Sequence, residues 1–300
     1  MFSVIQKWAG FVRFSHTVFA LPFALAAMCI AARENRSWPG WKTFLLILAA
    51  MVSARTCAMA FNRIADRKFD ALNPRTANRH LPAGAISLAG AILLCVLSGA
   101  GLVLASYFLN PLCFYLSPVA LIVICFYSLT KRFTDYTHVF LGIALALAPI
   151  GAWLAVKGTG ISAMEVVQML VLSATVVLWL VGFDIIYALQ DYEFDKIHGL
   201  RSLVVAWGPK NALGAASLAH VAMCGLMLAF GVLTFGPRCI AYLVGWFIIL
   251  VCLVVEHWIA RRRSLNWINV AFFRLNAVVS TVFLAVTVAE VVFHGGFFRR

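Results

Sequence analysis

Acidic residues are scarce in this chain: 11 of its 300 residues are Asp or Glu, and charged residues of both signs make up 12%. A soluble globular domain carries about 25% charged and about 45–50% apolar residues. Here the hydrophobic share is 63% and the mean hydropathy +0.95, which excludes an ordinary water-soluble globule. Paired cysteine motifs are also missing. The eight cysteines, at positions 29, 57, 95, 113, 125, 224, 239 and 252, form no CxxC. A thiol metal or redox centre thus finds no support, and these residues read as small buried hydrophobes. The alternating segments of about 10 residues that build a membrane β-barrel are absent too.

What the chain has instead is long apolar runs. They fall at about 14–33, 41–61, 85–106, 111–129, 136–156, 165–188, 211–235, 238–259 and 269–293. A helix of about 20 apolar residues crosses the roughly 30 Å hydrocarbon layer. The expected fold is therefore all-α: a polytopic membrane protein with nine transmembrane helices in a bundle around a central cavity. Residues 14–33 read as a retained span rather than a cleaved signal peptide. The third and fourth spans meet at Asn110-Pro111. A single domain over 1–300 is expected, built from two weakly related halves at about 1–130 and 131–300.

Basic residues mark the sides of the membrane. Of the 24 Lys and Arg, 15 fall on the side of the N-terminus and seven on the other, while Arg55 and Arg274 lie inside spans. This bias places the N-terminus and the 62–84 and 189–210 loops in the cytoplasm. The net charge of +13 then needs no nucleic acid, because basic loops set topology and meet anionic headgroups. No obligate protein partner is evident. The acids are distributed differently. Seven of the 11, Asp66, Asp70, Asp135, Asp184, Asp191, Glu193 and Asp195, gather at three helix ends on this same face.

Two of those groups form ladders. In NRIADRKFD (62–70), Asn62, Asp66 and Asp70 recur every four residues; in DIIYALQDYEFD (184–195), Asp184, Tyr187, Asp191 and Asp195 follow at spacings of three, four and four. On a helix such positions share one face, where like charges repel unless a cation neutralises them. Carboxylate and amide oxygens suit Mg²⁺, which is held by one or two carboxylates together with substrate phosphates and water. The ladders thus read as ligand stripes that would grip Mg²⁺ and a diphosphate. Solvated helix ends balanced by nearby Lys and Arg are the plainer alternative. Basic residues follow each ladder: Arg75 and Arg79 after the first, Arg201 after the second, with Lys131 and Arg132 on the same face. Their guanidinium and ammonium groups suit phosphate oxygens.

At these residues the chain resembles the UbiA superfamily of intramembrane aromatic prenyltransferases. The family's NDxxDxxxD-type motif corresponds to Asn62, Asp66 and Asp70, and its DxxYxxxDxxxD-type motif to Asp184, Tyr187, Asp191 and Asp195. RTANRHLPAG (75–84) and YSLTKRFT (127–134) look like the 4-hydroxybenzoate polyprenyltransferase branch, and the segment from Arg13 to Pro22 resembles the first helix of quinone-pathway members. His16 in that segment reads as a packed or capping residue and is left out of the catalytic set. One position departs from the pattern. Arg63 stands where the first motif often has Asp, so Asn62 and Asp66 carry more of the metal binding and the second ladder is the stronger holder.

The resemblance implies a polyprenyl diphosphate, an aromatic acid, membrane lipid and Mg²⁺ as partners, in the inner membrane of a bacterium. Metal and basic side chains, Lys131 among them, would stabilise charge on the departing diphosphate. Asp191 is assigned as the base that removes the ring or phenol proton, and Tyr187 as a partner of a phosphate oxygen or metal-bound water. Arg55, costly within a span, would hold the acceptor carboxylate or the diphosphate; an internal pair with Asp66 is the alternative. Among acceptors 4-hydroxybenzoate comes first and a hydroxynaphthoate second. A transporter is the rival of another class, opposed by acids that lie at helix ends rather than at the bilayer midplane.

Overall fold

In lipid, backbone N–H and C=O groups must find partners within their own segment, so apolar runs of this length become helices. The computed structural model describes residues 2–13, 17–33, 38–261 and 271–294. His16 and residues 262–268 lie outside the described residues. Among the described residues there are helices and turns and no strand. The elements are α1 (Phe2–Phe11), α2 (Thr17–Arg33), α3 (Trp41–Leu72), α4 (Leu88–Leu109), α5 (Pro111–Phe126), α6 (Thr137–Lys157), α7 (Ala163–Ala188), α8 (Tyr192–Ile197), α9 (Leu203–Phe235), α10 (Ile240–Arg261) and α11 (Asn276–His294). Among the described residues, eight helical segments are long and apolar enough to cross a membrane, and Phe19–Arg33 is a shorter apolar helix. The protein is a multi-pass, all-helical membrane protein.

Local chemistry sets the boundaries. Ser87 Oγ accepts the Gly90 N–H at 3.1 Å to open α4, and Asn110 Oδ1 accepts the Cys113 N–H at 2.9 Å to open α5. Pro111 occupies the first turn of α5, where its missing N–H costs nothing. Ser162 and Glu165 form a reciprocal capping box on α7. Two helices outrun their apolar cores. α3 continues to Leu72 and carries the whole first ladder, because Asn62–Leu72 keeps good helix formers and no breaker. α9 begins at Leu203 and kinks at Gly208, whose φ of 74° only glycine adopts without cost, just before Pro209.

The chain divides into two compact units, Met1–Thr17 with Trp41–Thr130, and Val18–Gly40 with Lys131–Arg300. From Val18 on, α2 belongs to the second of these. In the first unit α3 packs on α4 and α5. The amphipathic α1 covers their ends by burying Phe11 and Val12 with Ala60, Ile86 and Ala91. Outward-facing Leu93, Val96, Leu97, Val119 and Ile122 remain exposed, as lipid-facing residues would be.

In the second unit α7 packs on α6 and α9, and α10 on α9 and α11. α2 is held there by Phe23, whose ring lies 5.1 Å from Trp179 and stacks on Phe283 at 4.8 Å. A buried polar thread links three helices. Trp179 Nε1 donates to Asn276 Oδ1, and Asn276 Nδ2 donates to Glu256 Oε1, each at 2.8 Å. His257 Nε2 lies 2.9 Å from His220 Nδ1. These polar side chains inside spans thus bond to one another across helices.

Candidate active site

The first ladder stands on one face of α3. Asn62 Nδ2 donates to Asp66 Oδ2 at 3.2 Å and to Ser128 Oγ at 3.4 Å, which joins the stripe to the turn after α5. Asp66 is buried, with 4% exposure. Asp70, one turn on, meets Arg79 Nη1 at 2.7 Å through Oδ1 and Arg63 Nη1 at 3.8 Å through Oδ2. The latter oxygen is buried and has no hydrogen-bond partner. Arg79 reaches Asp70 because the loop after α3 turns back tightly. Thr76 Oγ1 donates to Asp70 O at 2.9 Å, and Asn73 Oδ1 accepts the Arg75 N–H at 2.9 Å in an Asx turn. Arg75 is left exposed on that loop. Arg55 lies two turns before Asn62 on α3, near Tyr127, and its buried Nε has no hydrogen-bond partner.

The second ladder departs from the expected single helical stripe. α7 ends at Ala188, Leu189–Asp191 forms a tighter 3₁₀ turn, and α8 runs from Tyr192 to Ile197. Asp184 and Tyr187 therefore sit on α7, Asp191 in the turn and Asp195 on α8. The change in winding replaces uniform i,i+4 spacing beyond Tyr187. Sequence reasoning also missed His138, in the first turn of α6. Its Nδ1 lies 2.6 Å from Asp184 Oδ2, and its ring is almost fully buried. A lone histidine 46 positions from its partner leaves no spacing signal.

The basic cluster of the second unit forms around Arg201. Its N–H donates to Lys131 O at 2.8 Å and its Nη1 to Phe133 O at 3.0 Å. The segment after the second ladder is thus pinned to Lys131–Phe133, which brings Lys131, Arg132 and Arg201 to one place. One guanidinium donor is committed to a backbone carbonyl.

Whether these groups suit Mg²⁺ is a question of donor chemistry. Among the described residues no group of three or more His, Cys, Asp or Glu side chains is gathered into a closed cage. The donors present are hard oxygens, and Asp70 Oδ2 is buried and unsatisfied. That set fits an ion completed by substrate phosphates and water, the usual habit of Mg²⁺.

Carboxylate ladders and basic loops stand at the ends of membrane-spanning helices in an all-helical membrane protein. The chain belongs to the UbiA prenyltransferase family, whose model matches residues 20–278. The 4-hydroxybenzoate octaprenyltransferase of Shewanella loihica is 32% identical over 70% of this chain and 75% of its own length. The apo structure of a UbiA homolog from Aeropyrum pernix K1 superposes with a TM-score of 0.81 at 33% identity, covering 92% of this chain and 98% of that one. A UbiA homolog from Archaeoglobus fulgidus, solved bound to GPP and Mg²⁺, shares the fold with a TM-score of 0.68 at 21% identity, over 95% and 99% of the two chains.

Proposed function

We propose that this chain is an integral membrane prenyltransferase that moves a polyprenyl group from an allylic diphosphate onto a hydroxylated aromatic acid, 4-hydroxybenzoate first, in ubiquinone biosynthesis. The observation that carries this reading is the pair of oxygen-donor ladders at helix ends, in a chain whose curated relative acts as a 4-hydroxybenzoate octaprenyltransferase. The transport reading draws no comparable support. The charge bias of the loops supports a bacterial inner-membrane location with both ladders facing the cytoplasm.

Asn62, Asp66 and Asp70 on the first ladder, and Asp184, Asp191 and Asp195 on the second, are each donors that would hold Mg²⁺. When bound, the ion would neutralise phosphate charge and favour departure of the diphosphate. The protein's own groups do the rest. Arg75, Arg79, Lys131, Arg132 and Arg201 donate charge-assisted hydrogen bonds to phosphate oxygens, and the Tyr187 phenol donates one more. His138 fixes the orientation of Asp184, as outer partners of ligating side chains do. Arg55 pairs with the carboxylate of the acceptor. The allylic C–O bond breaks, its electron pair leaves with diphosphate, and the ring carbon of the acceptor forms the new C–C bond. Asp191 accepts the displaced ring proton. The apolar walls keep water from quenching the cation.

Purified protein in detergent, given labelled polyprenyl diphosphate, Mg²⁺ and a panel of aromatic acids, tests the proposal. Prenylated 4-hydroxybenzoate is expected. No product with any acceptor would overturn the enzyme reading, and product with a hydroxynaphthoate alone would move the acceptor.

A further inference from the structure

The cysteines stand too far apart in sequence for a CxxC, yet the first unit folds three of them together. Cys57 on α3 is buried, and its Sγ lies 3.8 Å from the Sγ of half-buried Cys95 on α4, 38 positions away. The Cys95 thiol also donates to Cys57 O at 3.6 Å. Cys125, near the end of α5, is close enough to Cys57 to share a thiol hydrogen bond with it. Three helices thus bring one sulfur each to a single place, with Cys57 common to both contacts. None of the three has a part in the proposed prenyl transfer.

The packing holds two of these sulfurs within reach of a covalent bond. α3 and α4 approach closely at this level. A Cβ at Gly101 would meet Ser53 Oγ at 2.9 Å, and one at Gly99 would meet Cys57 Sγ at 3.5 Å. A disulfide is about 2.05 Å long, so roughly 0.9 Å of movement by each sulfur closes the gap. The surroundings are apolar. Ile92 and Val96 beside Cys95, and Phe126 beside Cys125, are exposed as lipid-facing residues would be. An oxidant that arrives here is therefore one that dissolves in hydrocarbon.

We propose that this cluster is an oxidant-responsive site, where a lipid-soluble organic hydroperoxide joins Cys95 to Cys57, with Cys125 as the alternative partner of Cys57. Cys95, the more accessible of the first pair, meets the oxidant. Its sulfur takes the terminal peroxide oxygen, the O–O bond breaks, and the thiol proton leaves with the alkoxide as alcohol. The product at Cys95 is a sulfenic acid, which condenses with a neighbouring thiol. Cys57 Sγ attacks the Cys95 sulfur, the S–O bond breaks, and the hydroxyl departs with the Cys57 proton as water. Two thiols are oxidised to one disulfide while the hydroperoxide is reduced to an alcohol. A dithiol reductant reverses the bond by exchange. The bridge would clamp α3 to α4 five positions before Asn62.

The test exposes the full chain in neutral detergent to cumene hydroperoxide, alkylates the remaining thiols and maps the peptides by mass spectrometry. Wild type starts with eight free thiols. It is expected to lose those of Cys57 and Cys95 to one cross-linked peptide, and to regain both with dithiothreitol. Cys57→Ser should abolish the bridge, and Cys95→Ser should move it to Cys57 and Cys125. No bridge in Cys95→Ser removes Cys125 from the site. Should Cys57→Ser fail to fold, the double variant Cys95→Ser/Cys125→Ser, at two half-buried positions, is expected to keep Cys57 as a free thiol. A free Cys57 thiol in wild type after Cys95 has advanced to sulfinic acid overturns the proposal, as does Cys57 bridged to a cysteine outside the three. An unreacted cluster in a chain whose exposed Met164 has become the sulfoxide overturns it too. Prenyl transfer enters none of these readouts, so failure here leaves the proposed function standing.

Discussion

Asp184 Oδ2 and His138 Nδ1 lie 2.6 Å apart, joining the first acid of the second ladder to the opening turn of α6. The contact fixes the carboxylate's rotation from a buried ring. A partner of this kind typically costs about 10–100-fold in metal affinity or activity when removed. His138→Ala is therefore expected to raise the Mg²⁺ concentration needed for half-maximal rate by about that factor. The KM for the aromatic acid should change little. A shift in acceptor KM with unchanged Mg²⁺ dependence would assign His138 to substrate contact instead.

Asp66→Asn removes one negative charge while keeping the shape that Asn62 Nδ2 contacts at 3.2 Å. If Asp66 holds the ion, turnover falls on the order of 100-fold or more, with expression and gel-filtration behaviour preserved. Asp191→Asn should lose about 10²–10⁴-fold as a missing base. Steady-state rates with saturating Mg²⁺ check both, and near wild-type rates in either variant refute that residue's role.

How much of this was legible beforehand differs between the two ladders. Asn62, Asp66 and Asp70 lie on uninterrupted helix, so counting by fours located them. The second ladder changes winding after Ala188, which side-chain spacing alone cannot reveal, since i,i+4 acids look the same before and after a turn tightens. Arg63 was visible as a departure from the family pattern. That Asp70 is shared between Arg63 and Arg79 was not, because it depends on the loop of residues 73–86 folding back. The spans were readable because lipid leaves a segment one way to satisfy its backbone. α2 in the second unit was not, being decided by ring contacts of Phe23.

Asn276 offers a test of the buried thread away from the ladders. Its carboxamide serves both Trp179 Nε1 and Glu256 Oε1 at 2.8 Å. Asn276→Leu keeps comparable bulk but strands a donor and an acceptor inside the bundle, a cost of about 1–3 kcal/mol. Thermal unfolding in detergent should shift downward. The Mg²⁺ dependence of the residual activity should stay as in wild type. An unchanged unfolding temperature would mean that the two groups find new partners.

Gly182 and His220 give the sharpest packing prediction. A Cβ at position 182 on α7 would run into the His220 imidazole, at its Nε2 and Cδ2. The ring cannot swing aside cheaply, because His257 Nε2 holds one nitrogen at 2.9 Å and Trp179 O the other at 3.2 Å. Overpacking at such a site costs about 1–3 kcal/mol. Gly182→Ala is thus expected to lower the unfolding temperature, and the double variant Gly182→Ala/His220→Ala to recover the part due to the clash. Contacting residues couple in this way, whereas independent ones add. If the alanine at 182 costs the same with and without the imidazole, the close approach of α7 and α9 here is not set by this pair.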